Sequence, residues 1–103
     1  MSLIRFTKSA KKDLGEIYEY IAQDNIAAAD KLKARLQQRW CGLVDMPRIG
    51  SDRKKLKPNL RSVTEGNYVI FYRVLVEEIQ IVRVLHSSRD AETVFTEFDE
   101  WIP

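Results

Sequence analysis

The chain has 103 residues, 45% hydrophobic and 31% charged, with 17 Lys and Arg against 15 Asp and Glu for a formal net charge of +2. That length fits one domain with one core and excludes two independent catalytic domains, while the composition excludes a disordered or fibrous chain. No apolar run approaches the roughly 18 residues of a membrane span, and Met1 to Arg5 lack a signal-peptide core, so a cytoplasmic location without a membrane partner is expected.

Leu3 to Phe6 reads as a short first strand, ended by Thr7-Lys8-Ser9, where a hydroxyl can cap the helix that follows. In that helix Ala10, Leu14, Ile17, Tyr18 and Ile21 gather on an arc of about 100°, with Gly15 as a weak point. Asp24-Asn25 supplies a turn and an N-cap for a second helix, whose stripe is Ala29, Leu32, Leu36, Trp40 and Leu43 and which Pro47 should end. So short a connection predicts an antiparallel helical hairpin. Residues 48–61 then hold Arg48, Arg53, Lys54, Lys55, Lys57 and Arg61 against Asp52 alone, a balance of +5 in what reads as a loop.

Residues 60–65 lead through Gly66-Asn67 into Tyr68 to Leu75, and Glu77-Glu78 marks a second turn into Ile79 to His86, which predicts a three-stranded antiparallel meander. Both parities of Tyr68 to Leu75 are apolar, so this strand should be central with both faces covered. Val94, Phe95, Phe98, Trp101 and Ile102 fall on an arc of about 120°, a third helix begun at Asp90 and packed on the free face of the sheet or on the helices. Residues 90–103 carry Asp90, Glu92, Glu97, Asp99 and Glu100 without Lys or Arg, a balance of −5. The expected fold is therefore α+β, a single domain over 1–103. An N-terminal strand and antiparallel helical hairpin pack on an antiparallel meander, with a short C-terminal helix. A core this small leaves apolar positions to be covered by a partner.

One cysteine, Cys41, excludes an internal disulfide, and with the single histidine, His86, it leaves no clustered ligand set, so neither metal nor cofactor is expected. Cys41 reads as a small apolar residue inside the second helix, and His86 as a hydrogen-bonded residue at a strand end. Phosphate-binding glycine patterns are absent. A metal-free ribonuclease would need a base, an acid and cations for the phosphate charge, and Lys54, Lys55, Lys57, Arg61, Arg73, Arg83 and Arg89 could supply the cations. Whether Arg73 and Arg83 converge depends on the second turn. An odd number of turn residues sends them to one face, a two-residue turn to opposite faces.

The order of elements is accompanied by familiar wording: Ala10-Lys11-Lys12-Asp13-Leu14 with Ile17 to Ile21, Pro47-Arg48-Ile49-Gly50, Leu60-Arg61-Ser62, Gly66 to Val74, and Arg83 to Asp90. Over about nine-tenths of its length the chain resembles the ParE branch of the ParE/RelE toxin superfamily. The resemblance implies a toxin of a type II toxin–antitoxin module, of the kind associated with plasmid stabilisation. Such a toxin is neutralised by a ParD-like antitoxin and inhibits DNA gyrase by binding rather than catalysis. It implies an antitoxin surface at Leu14, Ile17, Tyr18, Ile21, Leu36 and Trp40, and a target surface at Arg61, Arg73, Arg83, His86 and Arg89. No sequence-specific nucleic-acid binding is expected of the toxin alone. RelE-like relatives instead cut messenger RNA on the ribosome, and Lys54, Lys57, Arg61 and Arg83 would then be the catalytic set. Many of those nucleases add a tyrosine in the C-terminal helix, but the segment here reads Thr93-Val94-Phe95-Thr96, and the acidic tail would repel RNA. For Arg61 a sheet-edge position packed on Tyr72 is equally open. For Arg73, Arg83 and Arg89, so are ion pairs with Glu65, Glu77, Asp90 or the tail.

Overall fold

Residues 3–98 are described in a computed structural model of the chain, and its elements begin and end where backbone donors find side-chain partners. Strand β1 (Leu3–Phe6) passes directly into helix α1 (Lys8–Ala22) because Thr7 is extended and its Oγ1 accepts the Ala10 N–H at 3.0 Å. The same hydroxyl donates to Val82 O at 2.6 Å, so the start of α1 is fixed to the sheet. Asn25 caps α2 (Ile26–Gly42) through the Ala28 N–H. Helix α2 ends short of Pro47, where the Leu43 and Val44 N–H groups tighten back onto Trp40 O and Cys41 O.

Four further strands follow: β2 (Ser51–Asp52), β3 (Leu60–Glu65), β4 (Tyr68–Leu75) and β5 (Glu78–His86). The sheet order is β1-β5-β4-β3-β2, with the predicted meander at its centre. It is mixed rather than antiparallel throughout, because β1 pairs parallel to β5, from Leu3 opposite Glu78 to Phe6 opposite Ile81. Strand β2, inside the segment read as a loop, pairs antiparallel to β3. Gly66 takes φ +59 in the first hairpin turn, a conformation without penalty for glycine. The second turn is Val76–Glu77, one residue earlier than expected, with Glu77 at φ 59.

The core has two layers, which accounts for the two apolar parities of β4. On one face Leu32, Leu36, Trp40 and Leu43 of the α2 stripe pack with Ala10 on Val63, Ile70, Tyr72, Ile79, Ile81 and Val84. On the other, Leu60, Phe71, Val82 and Leu85 lie under Phe95 and Phe98 of α3 (Ala91–Thr96) and the residues after it. Asp90 caps α3, its Oδ1 accepting the Glu92 and Thr93 N–H groups. Trp101 and Ile102, expected on the same helix, lie outside the described residues. Cys41 lies within α2, as expected, and is exposed, off the buried stripe formed by Leu36, Trp40 and Leu43.

A register shift between Phe71 and Tyr72 distinguishes β5 from a regular strand: Phe71 faces Arg83 while Tyr72 faces Ile81, leaving Val82 as an extra residue. Val82 joins the layer under α3 and Val84 the layer under the helices, while the Arg83 guanidinium and the Val84 N–H both reach the Asp13 carboxylate of α1.

Candidate functional site

Helices α1 and α2 meet along their apolar stripes but leave a groove of about 400 Å³ between them. Leu14, Ile17 and Tyr18 line one wall and Ala29, Leu32, Leu36 and Trp40 the other, with Glu19, Lys33 and Gln37 at the rim. The Tyr18 hydroxyl donates to Asp30 Oδ1 at 2.7 Å and Lys33 Nζ stands 5.9 Å from its ring centroid. The bond to Asp30 holds the Tyr18 pKa above its ordinary value. Five of the six residues expected to receive a partner, Leu14, Ile17, Tyr18, Leu36 and Trp40, line this groove. The sixth, Ile21, packs beside the core cluster instead.

A second hollow of about 390 Å³ lies across α1, bounded by Glu16, Tyr20, Tyr68, His86, Ser88 and Arg89. His86 Nδ1 accepts the Ser88 N–H at 3.0 Å and lies 2.7 Å from Ser88 Oγ, and its ring meets Tyr68 edge-on at 5.3 Å. Burial raises the Tyr68 pKa.

The third feature is charged. Asp52, Arg53, Lys54 and Lys55 face Arg89, Asp90 and Glu92 across a cleft of about 560 Å³, which brings the basic and acidic segments together. Among the described residues no ion pair bridges it.

Three of the other candidate cations, Arg83, Arg73 and Arg61, make bonds elsewhere. Arg83 makes a bidentate contact with Asp13, 2.7 and 2.8 Å, and the Val84 N–H adds a third bond to the same carboxylate. Arg73 donates through Nε to Gln80 Oε1 at 2.6 Å on the strand parity of Phe71, and its burial lowers its pKa against the opposing pull of Glu78. A two-residue turn alone would send Arg73 and Arg83 to opposite faces, but the extra residue Val82 resets the register, so Arg83 pairs with Phe71, on the strand parity of Arg73. Arg61 donates to Arg48 O and Gly50 O at 3.2 and 3.0 Å. Tyr72 completes this clamp on residues 47–50, donating to Pro47 O at 2.7 Å and accepting the Gly50 N–H at 2.9 Å. A Cβ on Gly50 would stand 2.5 Å from the Tyr72 hydroxyl oxygen and 2.8 Å from Ser62 O, so only glycine fits. Burial outweighs the Gly50 bond and raises the Tyr72 pKa.

Of the expected target surface, then, His86 and Arg89 sit together in the second hollow, Arg89 also reaches the charged cleft, and Arg61, Arg73 and Arg83 hold structural bonds. Of the ribonuclease set Lys54, Lys57, Arg61 and Arg83, only Lys54 lines one of these three cavities. Sequence reasoning missed Asp13 and the Tyr72–Gly50 clamp. Asp13 had a signal, since it shares the arc of Ala10 and Ile17 and a charged residue there needs a buried partner. Among the described residues no group of three or more His, Cys, Asp or Glu could hold a metal ion, and no helix is long and apolar enough to cross a membrane.

Residues 4–91 match the family described as the ParE toxin of the type II toxin–antitoxin system, parDE. Toxin ParE3 of Caulobacter vibrioides is 28% identical over 80 residues, 77% of this chain and 80% of its own length. Among solved structures, one from the chromosomal ParDE toxin–antitoxin system of P. aeruginosa superposes with a TM-score of 0.70 and 26% identity, covering 84% of this chain and 96% of that one. One from the toxin–antitoxin complex RelBE2 of Mycobacterium tuberculosis gives 0.58 at 25% identity, covering 82% and 96%.

Proposed function

The chain belongs to the ParE toxin family of type II toxin–antitoxin systems, and on that premise we propose that it binds and inhibits DNA gyrase in the cytoplasm until a cognate ParD-like antitoxin neutralises it. The antitoxin seats an amphipathic segment in the groove between α1 and α2. Its apolar side chains cover Leu14, Ile17, Leu36 and Trp40, and its polar side meets Glu19 and Lys33 at the rim. The charged cleft and the hollow at His86 and Arg89 face the target, where complementary charge raises the association rate.

The observation that carries a binding rather than a cutting mechanism is the commitment of Arg61 and Arg83 to structural bonds. Cleavage through a 2′-hydroxyl needs a base, an acid and cations within hydrogen-bond reach of one phosphate. Arg83 is held by Asp13 and Arg61 by two backbone carbonyls, while Phe95, in the segment where a catalytic tyrosine would fall, is 1% exposed beneath the sheet. The test is supercoiling by purified gyrase with the chain in excess. Loss of supercoiling with accumulation of broken DNA is expected, and full activity at large molar excess would overturn the reading.

The open cations of the cleft, Lys54, Lys55 and Arg89, support a second reading as a ribosome-dependent endoribonuclease of the RelE type. Primer extension on translated messages decides it: codon-phased cuts would replace the gyrase reading, and their absence removes the alternative.

A further inference from the structure

Gly15 is out of place in α1. Glycine in a helix interior costs stability relative to alanine, because its backbone is freer in the unfolded chain. It is normally excused by a positive φ or by a neighbour that leaves no room for a side chain. Gly66 has the first excuse, with φ +59, and Gly50 the second, with Tyr72 and Ser62 O against any added Cβ. Gly15 has neither. It lies well inside Lys8–Ala22, its φ is not in the left-handed region, and a Cβ built on it meets nothing within 4 Å. What does distinguish it is location, since Gly15 lines the apolar groove beside Leu14 and Tyr18. Gly42 is also helical and also faces open space, but it is the last residue of α2, where glycine is ordinary, and it lies outside the groove.

We infer that the bare Cα of Gly15 is a contact point for the antitoxin. The segment that fills the groove crosses α1 there, with its main chain closer than any side chain at position 15 would permit. Small residues at a helix crossing allow this approach, because the side chains at the contact set the distance between axes. The occupant is an amphipathic segment with apolar side chains directed at Leu14, Ile17, Leu36 and Trp40, as the groove's lining requires. This inference rests on the groove being the antitoxin's seat.

The probe is the protein encoded by the reading frame adjoining this gene, titrated onto wild-type toxin and onto Gly15→Ala, Gly15→Leu, Gly42→Ala and Tyr18→Ala. In the toxin alone, Gly15→Ala should raise Tm by about 3–6 °C through helix propensity. Binding should weaken progressively from Gly15→Ala to Gly15→Leu, by about tenfold or more for the leucine through overpacking, and stay unchanged for Gly42→Ala. Thermal melts of each variant show that it is folded before binding is compared. If both Gly15 variants melt at or above the wild-type temperature and bind as tightly as wild type, while Tyr18→Ala weakens binding, the inference is overturned and the groove reading stands. If Tyr18→Ala and both Gly15 variants all bind normally, the groove is not the seat and both fail. A Gly15→Ala toxin that melts lower than wild type would also overturn the inference, by showing that the free fold needs the glycine.

Discussion

Asp13 anchors α1 to the sheet through three bonds, two from the Arg83 guanidinium and one from the Val84 N–H, with side chains only 8% and 16% exposed. Removing one member of a pair this buried leaves the other charge without compensation, a loss of about 3–5 kcal/mol. Asp13→Ala should therefore lower stability by that amount in urea unfolding, and Asp13→Ala/Arg83→Ala should lose less than the sum of the single changes. Tyr72→Phe keeps the ring and deletes the hydroxyl between Pro47 O and Gly50 N–H. We expect a loss of about 1–3 kcal/mol and faster amide exchange at Gly50. Asp90 gives a pH signature. The Thr93 hydroxyl and N–H hold its carboxyl below the ordinary 3.8, so its folded value lies beneath its unfolded one. Its contribution is complete above the ordinary carboxylate range and disappears as pH falls through the folded value. Wild type should accordingly lose stability relative to Asp90→Asn below pH 3.8, with a constant difference at neutral pH. The caps were visible in the sequence because they depend on neighbours two or three residues away. The Asp13–Arg83 pair was not, because its partners are 70 residues apart and meet only in the tertiary fold.

At the level of elements, hydrophobic period and turn chemistry sufficed for both helices, the central meander and the start of α3. The parallel docking of β1 and the two-residue β2 were not legible. Four and two residues carry no register signal, and their partners are chosen by where the chain returns after α2. The bulge was equally hidden, although it sets the position of Arg83, which pairs with Phe71 where a regular strand would pair it with Ile70. Helix α3 is short, and its contribution is the cover it places over Phe71, Val82 and Leu85. Phe95 meets Phe71 at 5.0 Å and Phe98 at 5.6 Å between ring centroids and is 1% exposed. Phe95→Ala should lower unfolding free energy by about 3–5 kcal/mol and increase binding of an apolar dye, as the second layer opens.

The whole molecule divides its surface by chemistry. Both faces of the sheet are covered, which leaves the α1/α2 groove as the apolar opening on the helical layer and places the charged cleft between the basic segment and the start of α3. Under the function proposed above, the antitoxin engages the apolar groove and the target the charged cleft, two contacts that different substitutions should separate. The apolar stripes of the hairpin announced the first surface. The second needed coordinates, because Arg89 and Lys54 belong to segments far apart in the chain. Hydrogen–deuterium exchange of the toxin, free and bound to its antitoxin, tests the division most directly. Slower exchange on binding is predicted across residues 14–19 and 32–40, with residues 53–57 and 89–92 unchanged. Protection of the cleft with α1 and α2 unaltered would contradict it.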